Sequence, residues 1–297
     1  MLKILVTGGC GFIGSNLVDR LILEGNDVTV LDNLSSDSNE KFYYNDDAKY
    51  IKEDILNSEV VDNLIEGCDH VFHLAAESRI GPTLLEPSKA CHVNVVGTCN
   101  ILQSSLKHKV KSVVYSSSSA CYGLSNSFPQ KETDKIDNLN PYSATKYAGE
   151  DLCSMFYKLW GLNTVCLRYF NVFGERMPTS GIYAPVVGIF LKQKREKNPL
   201  TIVGDGLQSR DFVYIQDVVD ANIMSSISEK CYGKSYNVGS GKSYKIIEIA
   251  KFISENYVHV DQRLGESRNT QADYTKLNQD TGWFPKYELL SWINKQP

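Results

Sequence analysis

The chain has 297 residues, of which 42% are apolar and 22% charged, and its formal net charge is −4. This balance is typical of a folded protein and excludes extended disorder, while the length allows one large core or two lobes that share an interface. Because lysines and arginines are scattered and the net charge is slightly negative, nothing favours a nucleic-acid or membrane-surface partner. Any phosphate-bearing partner must be held by a few individually placed groups.

The N-terminal segment predicts a cytoplasmic protein. Residues 1–6 run straight into glycines, which leaves no room for the apolar stretch of a signal peptide. No apolar run reaches the roughly 18 residues that span a bilayer. The 8 cysteines contain no Cys-x-x-Cys pair, and the 5 histidines have no ligand spacing. We therefore expect reduced thiols and no metal site.

Short β-branched runs alternate with longer segments of helical period in the first part of the chain. The runs lie at 3–7, 27–31, 69–74, 112–116 and 164–168. Strands that alternate with helices predict βαβ units and a parallel sheet with helices on both faces. The sequence therefore predicts an α/β fold with a Rossmann-type, doubly wound parallel sheet in residues 1–168.

Two long helices are predicted at 86–107 and 141–160. Asn140 suits the N-cap of the second, and Pro141 suits its first position, where the missing N–H costs nothing. Beyond residue 170 the alternation weakens, with Gly/Pro breaks at 176–181 and 204–206 and a helical stretch at 246–257. We expect residues 169–297 to form mainly a smaller lobe over the C-terminal edge of the sheet, with some segments returning to the sheet.

A glycine-rich segment after the first strand predicts a dinucleotide site. Residues 7–14 read T-G-G-C-G-F-I-G and lead into the helical segment 12–24. In this context Gly8 permits the tight turn, Gly11 lets the backbone approach a pyrophosphate, and Gly14 allows the helix to pack on the strand. The helix N-terminus favours the pyrophosphate charge. Asp32, about 20 residues on, suits the ribose hydroxyls and repels a 2′-phosphate, which favours NAD over NADP.

Tyr142 and Lys146 lie four residues apart on the second long helix, so their side chains share one face. The ammonium, together with oxidised nicotinamide, favours the phenolate and is expected to lower the tyrosine pKa. Lys146 can also hold the nicotinamide ribose. The serine run 116–119 follows a strand, and a hydroxyl there can bind the substrate oxygen that the tyrosine deprotonates. Taken alone, the serine run also suits a solvated loop.

The ordered set of segments resembles the extended short-chain dehydrogenase/reductase family, and within it the nucleoside-diphosphate-sugar 4-epimerases. Besides the segments above, the resemblance rests on H-L-A-A at 73–76, N-V-V-G-T at 94–98, S-S-S-S-A-C-Y-G at 116–123, Y-S-A-T-K at 142–146, R-Y-F-N-V-F-G at 168–174 and G-D-G-L-Q-S-R-D-F at 204–212. It covers almost the whole chain. It implies an NAD-dependent isomerase that interconverts UDP-hexoses through a transient 4-keto sugar, with a substrate-binding C-terminal lobe.

The resemblance also implies residue roles. The expected catalytic residues are Ser118, Tyr142 and Lys146. The expected cofactor-binding residues are Gly8, Gly11, Phe12, Ile13, Gly14, Asp32, Asn33, Asp54, Ile55, Leu74, Ala75, Ala76, Asn94, Ser116, Tyr142, Lys146 and Phe170. The expected substrate-binding residues are Ser78, Ser118, Ser119, Asn171, Arg210, Arg263, Glu266 and Thr270. The arginines supply the cations that a net acidic protein needs to hold two phosphates.

Other functions stay open on this scaffold. The 4,6-dehydratases and sugar-acid decarboxylases of the family carry an acidic residue two positions before the Tyr-Gly pair, where this chain has Ala120. The A-E-S segment at 76–78, in contrast, resembles the dehydratases. A non-catalytic NAD sensor is a further alternative, although it usually loses the tyrosine or the lysine.

Substrate choice and assembly are also open. Thr270 stands where a large tyrosine narrows the pocket of strict UDP-glucose enzymes, which favours UDP-N-acetylhexosamines such as UDP-N-acetylglucosamine. The resemblance implies a homodimer through the two long helices, whereas ordinary packing on the sheet explains their apolar positions equally well. The sequence leaves the nucleotide base, the physiological sugar and the pathway undetermined.

Overall fold

The computed structural model describes residues 1–36, 41–125, 127–180, 184–262 and 265–296. The strands, in chain order, are β1 (Lys3–Thr7), β2 (Asp27–Leu31), β3 (Lys49–Ile51), β4 (His70–His73), β5 (Ser112–Ser118), β6 (Thr164–Tyr169), β7 (Asn171–Phe173), β8 (Leu200–Val203), β9 (Ser209–Tyr214), β10 (Lys234–Val238), β11 (Ser243–Lys245) and β12 (Tyr257–Val260). The α-helices are α1 (Phe12–Leu23), α2 (Ser58–Ile65), α3 (Ile80–Leu85), α4 (Pro87–Cys91), α5 (Thr98–Lys107), α6 (Pro141–Trp160), α7 (Val186–Arg195), α8 (Ile215–Ser226), α9 (Ile246–Ile253), α10 (Thr275–Thr281) and α11 (Leu289–Ile293).

A seven-stranded parallel sheet forms the centre of the fold, in the order β3-β2-β1-β4-β5-β6-β10. From β1 the chain first builds outward through β2 and β3, then crosses to β4 on the other side. The strand order therefore reverses between β1 and β4, and a crevice opens beyond the carboxyl ends of these strands. The predicted α/β, doubly wound fold is confirmed.

The sheet has an apolar core on each face because successive side chains of a strand point to opposite sides. Ile4 and Val6 of β1 join the core that includes α1 and α8, whereas Leu5 joins the core with α2, α5 and α6. All three β1 side chains are essentially inaccessible to solvent. Burial on both faces explains the nearly unbroken apolar strand runs in the sequence.

Helix α6 begins and ends as its sequence predicts. The Asn140 side chain accepts a hydrogen bond from Ser143 N, and Ser143 Oγ closes a reciprocal capping contact with the Asn140 backbone. Pro141 occupies the first helical position, and Gly161 ends the helix in the left-handed region at φ 71°. These caps fix the position of the side chains in the first turns of the helix.

Two predicted helices differ from the structure. The segment 86–107 is continuous but consists of α4, a π-helical segment (His92–Gly97) and α5. The helix predicted at 246–257 ends at Ile253, because Ser254 takes an extended conformation and β12 follows. In β12 the alternating valines Val258 and Val260 suit a strand, which pairs in parallel with β8.

A smaller apolar core lies in the second half of the chain. It joins α7, α9 and α11 with residues of β7, β8 and β9. Strand β10 instead returns to the large sheet beside β6. The proposed division at residue 168 stays a prediction. No described helix combines the length and hydrophobicity that a bilayer crossing requires.

Candidate active site

A cavity of about 500 Å³ lies at the carboxyl edge of the seven-stranded sheet. Residues at or just beyond the ends of five neighbouring strands line it: Gly8, Asp32, Leu74, Ser118 and Phe170. Residues of α7, β8 and β9 line it from the side of the smaller core. The volume lies within the range of small-molecule sites, roughly 300–1,000 Å³.

The glycine-rich turn between β1 and α1 forms one end of the cavity. Gly8 has φ +70°, and a Cβ there would lie 2.7 Å from Ala75 N. A Cβ on Gly14 would lie 2.2 Å from Gly8 O, so the helix can approach the turn only without a side chain. Gly11 caps α1 without any side-chain hydrogen bond, and Phe12 and Ile13 of the first turn line the cavity. This arrangement fits the pyrophosphate of a dinucleotide.

Carboxylate and amide groups beyond β2 continue this end of the cavity. Asp32 Oδ2 accepts a hydrogen bond from Cys10 N at 3.0 Å, which ties the glycine-rich turn to the end of β2. Asn33 Nδ2 donates to Asp54 Oδ2 at 2.7 Å, and Ile55 lies beside them in the lining. These acceptors fit the hydroxyl groups in the adenosine part of NAD, so the polar groups at this end of the cavity suit that cofactor.

Lys146 is almost completely buried on α6 and lines the cavity. Its Nζ donates to Ser116 O at 2.8 Å and lies 5.0 Å from the centre of the Tyr115 ring. Burial lowers the pKa of Lys146 to about 7. The ammonium is therefore held in place by the end of β5.

Tyr142 faces the same cavity one helical turn earlier. Burial raises the pKa of Tyr142, while a hydrogen bond with the Ser118 side chain and the charge of Arg79 work in the opposite direction. The predicted lowering of this pKa by Lys146 is not found, because the effect of burial is larger and the ammonium hydrogen-bonds Ser116 O. The cation that acts on the phenol is Arg79.

The four serines at 116–119 differ in their surroundings. Ser116 Oγ lies 3.0 Å from the Tyr169 hydroxyl, and Ser117 Oγ donates to Glu150 inside the core. Ser118 ends β5, and its Oγ also accepts from Ala120 N at 3.2 Å. Ser119 is buried and lines the cavity. The run is thus the end of a buried strand, and a solvated loop is excluded.

Most of the residues expected to bind substrate also line the cavity. Arg210 Nη2 lies 3.4 Å from Glu266 Oε2, and Asn171 Nδ2 donates to Asp211 O. Burial lowers the pKa of Arg210. Thr270 lines the same wall, as does Ser78 beyond β4. Arg263 lies outside the described residues.

Asn94 is placed differently from the other expected cofactor residues. It is buried in the π-helical segment and does not line the cavity. Its Nδ2 donates to Glu77 O and to Thr145 Oγ1, and its Oδ1 accepts from Glu77 N. Asn94 therefore connects the segment after β4 to α6, and direct contact with NAD stays a prediction.

The structure adds Arg79, which the sequence analysis did not single out. Arg79 precedes α3, lines the cavity and acts electrostatically on Tyr142. One sequence signal was present: a charged residue soon after a buried strand, at the edge where such sheets carry their sites. The α7 and β8 part of the wall gave no comparable signal, because its residues are mainly aliphatic.

Comparison with known proteins agrees with this geometry. The model of the NAD dependent epimerase/dehydratase family matches residues 4–239. A putative UDP-glucose 4-epimerase of Methanocaldococcus jannaschii is 34% identical over 300 residues, which cover 98% of this chain and 96% of that protein.

Two solved structures are similar over 99% of the chain. A UDP-glucose 4-epimerase from Thermotoga maritima with UDP-glucose has a TM-score of 0.93 and 33% identity, with 97% of it covered. A UDP-N-acetylglucosamine 4-epimerase from Methanobrevibacter ruminantium, in complex with UDP-N-acetylmuramic acid, has a TM-score of 0.92 and 34% identity, with 96% covered. Together with the cavity, these similarities mean that the chain belongs to the NAD dependent epimerase/dehydratase family and is an enzyme whose cofactor is NAD.

Proposed function

We propose that this enzyme epimerises a UDP-sugar at C4. The observation that carries the proposal is that Tyr142 and Ser118 line the same cavity as the glycine-rich turn, where the Ser118 side chain acts to lower the Tyr142 pKa. One cavity therefore brings together a proton acceptor, a second hydroxyl and a fit for NAD. The similar proteins named above, two of them called UDP-glucose 4-epimerases, support the choice of reaction.

In the proposed reaction the protein moves one proton and holds the sugar. Tyr142 Oη takes the proton from the sugar 4-hydroxyl and later returns it, while the Ser118 hydroxyl holds the same sugar oxygen. Bound NAD supplies the reversible exchange of hydride with the sugar carbon. Lys146, fixed by Ser116 O, is positioned to hold the nicotinamide ribose. The positive charge of Arg79 favours the phenolate form of Tyr142.

We assign the two ends of the cavity to the two nucleotides. Gly8, Gly11 and the first turn of α1 hold the pyrophosphate of NAD, and Asp32 and Asp54 lie toward its adenosine. Asn171 and Arg210, which also line the cavity, hold the nucleotide diphosphate of the sugar, with Arg263 as a further expected contact, and Glu266 holds the nucleotide ribose. The smaller core would then form the substrate-binding lobe.

A dehydratase or decarboxylase remains the second candidate. Ala120 lines the cavity at the position where those enzymes carry an acidic residue. Because alanine has no carboxyl group, this position cannot assist an elimination. Glu77 also lines the cavity, but its Oε1 is 2.8 Å from Lys89 Nζ. The paired carboxylate is a poorer general acid than a free one, so epimerisation is favoured.

The side chain at position 270 bears on the sugar that fits. Thr270 lines the cavity, and its Oγ1 accepts a hydrogen bond from Asp211 N at 3.2 Å. This bond holds the small side chain against β9. We therefore propose that UDP-N-acetylhexosamines are accepted as well as UDP-hexoses. Comparing kcat/KM for UDP-glucose and UDP-N-acetylglucosamine tests this, and a strong preference for UDP-glucose contradicts it.

Exposed apolar side chains support a homodimer. Leu159 and Trp160 are 64% and 52% exposed at the end of α6. We propose that this surface meets a second copy of the chain. Leu159→Glu should shift the mass measured by light scattering from dimer to monomer. The control Leu23→Glu, on the exposed end of α1, should leave the mass unchanged.

Product analysis tests the main proposal. Incubation with UDP-glucose should yield UDP-galactose, and Tyr142→Phe should slow the interconversion by about 10²–10⁴-fold because the proton acceptor is lost. Tyr147→Phe is the matched control, since Tyr147 lies on the same helix but does not line the cavity. Unchanged interconversion in Tyr142→Phe would refute the proposed mechanism.

A further inference from the structure

The side chain of Asn140 hydrogen-bonds two distant parts of the chain. Its Oδ1 accepts from Ser143 N at 2.8 Å, which caps α6. Its Nδ2 donates to Gly265 O at 2.9 Å, across 125 positions of the sequence. Because a backbone N–H only donates and a carbonyl oxygen only accepts, these two neighbours fix the orientation of the amide. Asn140 is also buried, so water competes little for either bond.

The second of these bonds reaches the wall of the cavity. Gly265 directly precedes Glu266, which lines the cavity and is assigned above to the nucleotide ribose. Glu266 Oε2 lies 3.4 Å from Nη2 of Arg210, which is assigned to the diphosphate. The amide that caps the helix of Tyr142 therefore also holds the start of the segment 265–270.

The later part of this segment is held by other contacts. Arg268 and Thr270 form backbone hydrogen bonds with Ser209 of β9. Asn140 instead holds the beginning of the segment, at Gly265. Loss of its Nδ2 should therefore displace the beginning of the segment while the later part stays on β9.

We propose that Asn140 is a positioning residue for the nucleotide of the substrate. Through Gly265 it fixes the place of Glu266 relative to Tyr142, which lies in the first turn of the helix that Asn140 caps. Asn140 acts through these neighbours, because it does not itself line the cavity. The proposal rests on the function proposed above and adds a residue that aligns the bound nucleotide with the reacting end of the sugar.

Two substitutions separate the cap from the contact with Gly265. Asn140→Asp retains the cap, because aspartate is as good an N-cap as asparagine, but its carboxylate places a second acceptor against Gly265 O. Asn140→Ser also retains a capping oxygen, is too short to reach Gly265 and buries no charge. It keeps the test valid if the buried carboxylate hinders folding. Asn57→Asp is the matched control, because Asn57 caps α2 in the same way and lies outside the cavity lining.

Binding of UDP to the NAD-saturated enzyme, measured by isothermal titration calorimetry, tests the proposal. The Kd for UDP should rise about tenfold in Asn140→Asp and about fivefold in Asn140→Ser, and it should stay unchanged in Asn57→Asp. The KM for UDP-glucose should rise in parallel. The kcat and the Kd for NAD should change by less than about threefold, because the helix that carries Tyr142 and Lys146 keeps its cap.

The outcomes distinguish this proposal from the proposed function. Unchanged affinity for UDP in either folded Asn140 variant overturns the proposal, as does a wild-type protein that binds no UDP. An equal loss of NAD affinity or kcat also overturns it, because Asn140 would then act by shaping α6. If the wild-type protein binds UDP but does not interconvert UDP-glucose and UDP-galactose, epimerisation is refuted, whereas weaker UDP binding by Asn140→Asp still supports the positioning role.

Discussion

Replacement of Glu150 by glutamine should strongly destabilise the protein. Glu150 and Arg168 form an ion pair inside the core, and both side chains are about 95% inaccessible to solvent. Arg168 Nη2 lies 2.8 Å from Glu150 Oε2, and Arg168 Nε lies 2.9 Å from Oε1. Ser117 and Ser235 donate to the same carboxylate. Every group around this carboxylate is thus a donor.

Glu150→Gln keeps the size of the side chain but removes the charge that these donors require. The new amide must turn N–H groups toward other donors, and the Arg168 guanidinium remains buried without compensation. Removing one partner of a buried pair costs about 3–5 kcal/mol in free energy of unfolding. Glu24→Gln is a matched control, because the Glu24–Arg20 pair is exposed on α1 and contributes only about 0.3–0.5 kcal/mol.

Urea-induced unfolding of the wild-type protein and both variants, at one fixed NAD concentration, measures this difference. The midpoint should fall strongly for Glu150→Gln and barely for Glu24→Gln. If both substitutions cost less than about 1 kcal/mol, the pair is not isolated from solvent. The reasoning about the β5–α6 core would then be refuted.

Three further results are expected. Gly14→Ala should weaken NAD binding at least about tenfold in a fluorescence titration, because its Cβ would lie 2.2 Å from Gly8 O; unchanged affinity would show that the turn tolerates a side chain. Burial lowers the pKa of Lys146 from 10.5 to about 7. Between these values the unfolded chain binds more protons, so the stability of the wild-type protein relative to Lys146→Met should rise with pH by up to about 1.4 kcal/mol per pH unit. A flat difference between pH 7 and 10 in thermal unfolding would contradict this. Iodoacetamide should label exposed Cys91 before Cys10, whose pKa burial raises to about 12; early labelling of Cys10 in peptide mass spectra would argue against its burial.

The features that sequence reasoning recovered are those with a strong local cause. Helix α6 has a polar N-cap, a proline at its first position and a glycine after its last, and these signals act over a few residues. Strands β1 and β5 contain continuous apolar runs, at 4–6 and 113–115, which suit burial on both faces. Gly14 likewise reflects a close contact with Gly8 within the same turn.

The features that were missed depend on distant parts of the chain. Strand β3 has only three residues and no fully buried side chain, so its apolar signal is weak. The pKa of Tyr142 was misjudged because burial is the largest influence on it, and this burial depends on segments distant in the sequence. Nothing in the sequence near Asn94 indicates that its amide is used to connect Glu77 with Thr145. Such contacts become visible only once the sheet has brought these segments together.

The return of β10 to the large sheet makes the two halves of the chain interdependent. Strand β10 covers the edge of β6 with a parallel pairing from Lys234 to Val238. A fragment that stops at residue 168 would leave this edge bare, with a row of unpaired backbone groups that invites self-association. The second half therefore cannot be exchanged between related enzymes as an independent domain. Substrate preference is better changed by substituting single side chains or loops around the cavity than by joining halves of different proteins.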